Sequence, residues 1–149
     1  MWGERMNLKQ CAPQLIAFVI SISIVQQSYA IEIIVNKSVN LSKISYQQLK
    51  SIYLGQQSHW PGGNLIKLYK LPSSHQTHQL FVKNTLGLYP YQFNRRWQKL
   101  VFSGFAAKPN EAFTEQELAK VVANTPGAIG YIENKITMKG VRYVELFDE

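Results

Sequence analysis

The feature that most constrains the fold of this chain is an alternation of strand-like and helix-like segments between residues 31 and 149. Runs rich in β-branched residues predict strands, and capping boxes at Ser45 and Thr114 predict the starts of two helices. No internal repeat or low-complexity tract interrupts the alternation, which favours a layered α/β domain. The predicted strands are 31–35, 65–69, 128–132 and 141–146, and the predicted helices lie near 45–55, 73–87, 90–102 and 114–126.

The first thirty residues predict a secretory signal peptide. Basic residues precede an 11-residue apolar stretch from Leu15 to Val25, and Ser28 and Ala30 supply the small residues of a cleavage site. A membrane helix needs about 20 apolar residues, which is more than this stretch provides; the alternative is an uncleaved anchor. We therefore expect residues 1–30 to be the signal peptide and residues 31–149 to be an exported, periplasmic domain.

Composition excludes several classes of site and partner. The chain has one cysteine, so an intrachain disulfide is excluded and a cysteine-based zinc site is not expected. Sixteen Lys and Arg residues against nine Asp and Glu give a net charge of +7, which favours anionic partners such as lipid head groups or cell-wall polymers. Export argues against nucleic acid as the partner. No nucleophile–base pair, carboxylate pair or metal-ligating cluster stands out, so we expect neither an enzyme nor a cofactor.

Several motifs resemble a known family. The segments Ile34–Lys37, Leu49–Gly55 and Trp60–Gly63 resemble the opening of the phosphate-type substrate-binding proteins of ABC importers. Leu71–Thr77 lies where that family has its ligand-gripping loop, and Thr125–Tyr131 (TPGAIGY) resembles the family's most recognisable motif. The resemblance implies a type 2 periplasmic-binding-protein fold, with three layers and a mixed sheet flanked by helices. Full receptors have two lobes, so a chain of this length implies a single lobe.

The loop from Ser73 to Thr77 is the predicted ligand site. A polar loop between a strand and a helix brings together backbone N–H groups and the positive end of a helix dipole. By resemblance, Thr77 falls on a threonine of the family's loop, whereas Leu71 falls where the family has an arginine, so we expect weak binding. The alternative is that Ser73 or Ser74 only caps the helix. The expected anion-binding residues are Asn36, Lys37, Ser73, Ser74, His75, Gln76 and Thr77.

Other candidate residues have simpler interpretations. Asn36 and Lys37 follow the first strand, where ligands often bind in α/β sheets, or they belong to a solvated turn. His75 and His78 are three residues apart and could contribute to a metal site, but surface histidines are the favoured interpretation. Aromatic residues between 89 and 102 alternate with Arg95, Arg96 and Lys99, and most of these aromatics, Trp97 in particular, are expected in the core.

These observations predict an exported, non-enzymatic, solute-binding-like protein for a phosphate-like oxyanion. The candidate partners are a small inorganic anion, an ABC importer or another envelope protein, and a second copy of the chain. The alternative is an interaction protein in which the lobe has no ligand and recognises another component of the cell envelope.

Overall fold

The structure is a computed structural model, and it describes residues 30–148 of the chain. The expected signal peptide, apart from Ala30, lies outside the described residues. No helix within residues 30–148 is both long enough and apolar enough to cross a membrane. The strands are β1 (Glu32–Asn36), β2 (Lys43–Ser45), β3 (Lys67–Lys70), β4 (Asn110–Glu111), β5 (Ala128–Ile132) and β6 (Val141–Phe147). The helices are α1 (Tyr46–Tyr53), α2 (Gln76–Leu80), α3 (Pro90–Phe102) and α4 (Glu115–Asn124), with a π-helical turn at Phe81–Thr85 after α2.

The strands form one mixed sheet in the order β2-β6-β1-β5-β3-β4. Strand β1 is antiparallel to both of its neighbours, β5 and β6. Strands β3, β4 and β5 are parallel to one another, and β2 is parallel to β6. The predicted mixed α/β sheet is therefore confirmed, and its parallel part places three strand ends at the same edge.

The TPGAIGY segment explains how the sheet is covered on both faces. Strand β5 is buried along its whole length. A Cβ atom on Gly130 would come within 2.6 Å of Leu118 Cδ2, so helix α4 packs closely on that face. Tyr131 points to the other face, because successive strand residues alternate, and its ring stacks on Phe81 with centroids 3.9 Å apart. The three-layer arrangement expected from the resemblance is confirmed.

Local capping patterns predicted the starts of α1 and α4 correctly. Ser45 Oγ accepts a hydrogen bond from the Gln48 N–H, and Thr114 Oγ1 accepts one from the Glu117 N–H. The helix expected to begin between Ser73 and Thr77 and to end near Gly87 begins at Gln76, and after five α-helical residues it widens into the π-helical turn Phe81–Thr85. In that turn the backbone N–H of residue 86 donates to the carbonyl of residue 81, one residue further back than in an α-helix.

Helix α3 buries only part of its aromatic set. Phe93 and Trp97 are buried as expected, and Trp97 Nε1 donates to the Tyr53 carbonyl oxygen at 2.9 Å. The expectation that most of the aromatics are in the core is wrong for Tyr89, Tyr91 and Phe102, which are 59%, 65% and 90% exposed. Residues 91 and 102 lie on the outer side of the helix at 3.6 residues per turn, opposite residues 93 and 97.

Candidate functional site

The carboxyl ends of the three parallel strands form the candidate site. Strands β3, β4 and β5 end at Lys70, Glu111 and Ile132, and the loops after them meet beside the first turn of α4. Ligands in open α/β sheets commonly bind at this kind of edge. We call it the carboxyl edge.

Three hydrogen-bond donors at the carboxyl edge converge on one carboxylate. The Thr77 hydroxyl donates to Glu115 Oε1 at 2.5 Å. The other carboxylate oxygen of Glu115 accepts from the backbone N–H groups of Glu133 and Asn134 at 3.1 and 3.4 Å. We call these three donors, the Thr77 hydroxyl and the amides of residues 133 and 134, the oxyanion cradle. Its occupant is a side chain of the same protein.

A second carboxylate makes the cradle more negative. Glu133 Oε2 lies 3.4 Å from the Thr77 hydroxyl oxygen, so two carboxylates share the neighbourhood of one donor. Thr77 itself is only 2% exposed, which reduces the screening of these charges by water. An incoming anion would therefore have to overcome repulsion as well as displace Glu115.

The rest of the predicted loop is arranged differently from the expectation. His75 caps α2, because its Nδ1 accepts from the Thr77 N–H at 3.2 Å, so the alternative of a cap at Ser73 or Ser74 is wrong. Ser73 Oγ donates to Asn94 Oδ1 at 3.1 Å, while Ser74 and Gln76 are exposed.

The cation closest to the loop in sequence is already paired. Leu71 is fully buried, and the preceding Lys70 is 7% exposed. The Lys70 ammonium contacts Glu111 Oε2 at 2.5 Å and donates to the Leu71 carbonyl at 3.2 Å. The hydrogen bond from Lys70 holds the pKa of the Glu111 carboxyl below its ordinary value. This ion pair leaves little positive charge for an external anion.

Asn36 and Lys37 do not lie with the Ser73–Thr77 loop. Strand β1 runs antiparallel to β5, and β5 runs parallel to β3, so the carboxyl ends of β1 and β3 are at opposite edges of the sheet. In the register of the sheet, the end of β1 at Asn36 and the end of β3 at Lys70 are about three residues of strand apart, or roughly 10 Å. Asn36 is also buried, and its side-chain amide donates to the carbonyls of Val122 and Ala123 at the end of α4. One small ligand cannot contact both groups.

His78 forms a buried pair with Tyr131 beneath the loop. The Leu71 N–H donates to the Tyr131 hydroxyl at 3.0 Å, and this hydroxyl lies 2.5 Å from His78 Nδ1, to which it can donate. Burial is the main reason that the pKa of His78 falls to about 4, and the nearby Lys70 ammonium adds to the effect. His78 is fully buried, so the interpretation of it as a surface histidine is wrong. Within residues 30–148, no group of three or more His, Cys, Asp or Glu side chains is placed to hold a metal ion.

Sequence reasoning missed three residues of this site: Glu115, whose carboxylate occupies the cradle, and Glu133 and Asn134, whose amides help to form it. Each one follows a strand end or a helix cap, which is where polar site residues collect in α/β folds. The missing information was the parallel order of β3, β4 and β5, because only that order brings residues 115 and 133 beside residue 77.

The known proteins that this chain resembles are phosphate-binding proteins and phosphate transport receptors. No family model matches the chain. The phosphate-binding protein PstS of Bacillus subtilis (strain 168) is 32% identical over 105 residues, which cover 66% of this chain and 29% of the relative. Among solved structures, a putative phosphate ABC transporter substrate-binding protein with bound phosphate from Clostridium perfringens has a TM-score of 0.63 at 18% identity. An ABC-type phosphate transport receptor from Vibrio cholerae has a TM-score of 0.61, also at 18% identity.

The matches cover most of this chain but less than half of each solved chain. The two structural matches cover 78% of this chain and 44% and 45% of the solved chains. The chain therefore spans less than half the length of the proteins it matches, and its described residues form one sheet with helices on both faces. The chain is a single-lobe relative of the phosphate-type substrate-binding proteins of ABC transporters.

Proposed function

We propose that this protein is an exported, non-enzymatic, solute-binding-like lobe that binds a phosphate-like oxyanion weakly, in competition with its own Glu115. The observation that carries the proposal is the convergence of three donors, one hydroxyl and two backbone amides, on a single carboxylate. A carboxylate and a phosphate are both oxyanions that accept charge-assisted hydrogen bonds. Donors that hold one can hold the other when the first is displaced.

The neighbouring charges determine how weak the binding is. Glu133 stays close to the cradle, Leu71 supplies no guanidinium, and Lys70 is paired with Glu111. Of the loop residues, Thr77 belongs to the cradle, and Ser74, His75 and Gln76 can supply further contacts. We expect a millimolar dissociation constant, which corresponds to about −4 kcal/mol.

The names of the relatives support the class of ligand. PstS of Bacillus subtilis is a phosphate-binding protein, and the Vibrio cholerae relative is a phosphate transport receptor. Export of this chain rests on the predicted signal peptide over residues 1–30. Association with an importer, or pairing of two copies across the open carboxyl edge, would cover the ligand that a single lobe leaves exposed.

An interaction protein without a ligand is the second candidate function. The observation that favours it is the same one: the cradle already has its hydrogen bonds satisfied by Glu115. In that case the lobe keeps the fold of a receptor and uses its surface for protein or cell-surface contacts.

An NMR titration with phosphate at constant ionic strength tests the proposal and separates the two candidates. Wild type and Glu115→Ala are compared, with Glu117→Ala as the control, since it removes an equal charge from the same helical turn. We expect small amide shifts at residues 77, 133 and 134 in wild type at millimolar phosphate. In Glu115→Ala the same shifts should appear at about tenfold lower phosphate, a difference of about 1.4 kcal/mol.

Two results of the titration would contradict the proposed anion site. If the amide resonances of neither wild type nor Glu115→Ala shift at tens of millimolar phosphate, which corresponds to a binding free energy of about −2 kcal/mol, the proposed anion site is wrong. The interaction protein is then favoured. If Glu117→Ala strengthens binding as much as Glu115→Ala, the effect is one of net charge and the cradle is not the site.

A further inference from the structure

Charge is unevenly distributed along this chain. Residues 33–110 contain ten Lys and Arg residues and no Asp or Glu, whereas residues 111–149 contain seven Asp and Glu. The acidic side chains include those of the carboxyl edge, at residues 111, 115 and 133. Helix α3 lies wholly within the acid-free segment. Its surface therefore faces solvent with positive charge only.

The outer side of α3 combines these cations with exposed rings. Tyr91, Arg95 and Phe102 repeat at helical spacing on the side opposite the buried residues 93 and 97. Tyr89 stacks beside Tyr91, with ring centroids 6.0 Å apart. Lys99 is exposed on the next row of the helix. We call Tyr89, Tyr91, Arg95, Lys99 and Phe102 the α3 face.

Within residues 30–148, the cations of the α3 face form no ion pairs, and its three rings are mostly exposed. Among residues 30–148, no carboxylate forms an ion pair with Arg95 or Lys99. Phe102 is 90% exposed, and Phe105 in the following turn is 85% exposed. Single exposed apolar residues are ordinary, but aromatic residues at both ends of one cationic helix face are a feature of binding surfaces.

We propose that the α3 face docks on the surface of an anionic phospholipid bilayer. Aromatic rings favour the interfacial layer of a membrane, where an apolar ring and a polar surrounding meet. Lysine and arginine beside them are attracted to anionic head groups. The rings at residues 91 and 102 are separated by about 16 Å along the helix axis, so the helix would lie in the plane of the interface.

The shape of the face favours a bilayer over an acidic protein. The rings project from a convex helix, so a protein partner would need a pocket matched to each ring. A bilayer interface accepts projecting side chains without such pockets, and its negative surface complements a face with cations only. The proposal does not use the donors of the oxyanion cradle, so it does not rest on the proposed anion binding.

Vesicle sedimentation tests the proposal with the expected mature chain, residues 31–149. Vesicles of phosphatidylglycerol mixed with phosphatidylcholine are compared with vesicles of phosphatidylcholine alone. We expect binding to the anionic vesicles, reduced by added salt because the attraction is screened. Arg95→Glu/Lys99→Glu should weaken binding at least about tenfold, since each cation near the surface contributes severalfold. Tyr91→Ser/Phe102→Ser should also weaken it.

The controls make the result specific to the face. Lys120→Glu/Lys139→Glu reverses the same number of exposed charges elsewhere and should bind anionic vesicles better than the α3 variants do. Melting curves verify that each variant is folded. The proposal is overturned if wild type does not bind anionic vesicles, if the α3 variants bind as wild type does, or if both charge-reversed pairs lose binding equally. Capture of an acidic protein by the face without vesicle binding would also overturn it.

Discussion

Gly127 shows how strongly one residue of the TPGAIGY segment is constrained by its surroundings. Its φ of +77° lies in the left-handed region, and an added Cβ would come within 2.5 Å of the Leu65 carbonyl oxygen. The Gly127 carbonyl also accepts a hydrogen bond from Trp60 Nε1 at 3.0 Å. A side chain here must therefore adopt a disfavoured conformation and displace backbone.

We predict that Gly127→Ala destabilises the fold by more than the roughly 1–2 kcal/mol that the left-handed conformation alone costs. Gly62→Ala is the control, because Gly62 has open space around its Cβ position. Chemical denaturation of both variants measures the difference. Equal stability of the two would contradict the close approach of Leu65 to Gly127.

His78 gives a prediction about pH. Its pKa is about 4 in the folded protein and about 6.5 in the unfolded chain, because burial disfavours the charged ring. The unfolded state therefore binds more protons between these values, and stability falls as the pH is lowered from 6.5 to 4. The full loss is about 3 kcal/mol. Above the pKa of about 6.5 in the unfolded chain, the contribution of His78 to stability is constant.

Denaturation midpoints measured across that pH range verify the His78 prediction. The groups that act on His78 are Lys70 and His75, which lower its pKa, and Glu111, which raises it. His59→Gln, at an exposed histidine, should keep the pH dependence, and His78→Gln should lose most of it. A wild-type stability that stays constant from pH 6.5 to 4 would show that His78 is accessible to protons in the folded state.

At the scale of elements, Asn36 joins the end of β1 to the end of α4. The last carbonyls of a helix have no partner within the helix, and the Asn36 amide donates to two of them at 2.8 Å. Its side-chain oxygen accepts from the Ser38 N–H at 2.9 Å. These contacts assign Asn36 to the connection between the two elements.

We predict that Asn36→Ala lowers the free energy of unfolding by about 1–3 kcal/mol, because buried carbonyls lose their donors. Lys37→Ala changes the adjacent, exposed side chain and should have little effect. Thermal melting of the two variants with and without phosphate provides the comparison. A ligand-dependent defect in Asn36→Ala, without loss of stability, would instead return Asn36 to the anion site.

The elements also show which parts of the fold can be predicted from sequence. Strand β5, α3 and the start of α4 were predicted because capping boxes, proline positions and apolar runs are local signals. Strands β2 and β4 were missed because they have three and two residues and exist only through pairing with β6 and β3. The change from α2 to the π-helical turn was not predicted, since no local signal marks where an α-helix widens.

At the scale of the whole molecule, the fold was more predictable than the site. The TPGAIGY segment and its companions identified the family resemblance, and the structural neighbours bear out the single-lobe fold. The site depends on long-range geometry: Glu115 and Thr77 are 38 residues apart, and Glu133 is 56 from Thr77. Only the parallel order of β3, β4 and β5 brings them together, so no local pattern could reveal an internal carboxylate at the carboxyl edge.

We propose that Thr77 and the amides of Glu133 and Asn134 form an oxyanion site that Glu115 occupies. A crystal structure of Glu115→Ala grown in phosphate tests this proposal. We expect a phosphate ion within hydrogen-bond distance of the Thr77 hydroxyl and of both amides. A structure in which phosphate is bound elsewhere, or in which water alone fills the space left by the Glu115 carboxylate, would contradict it.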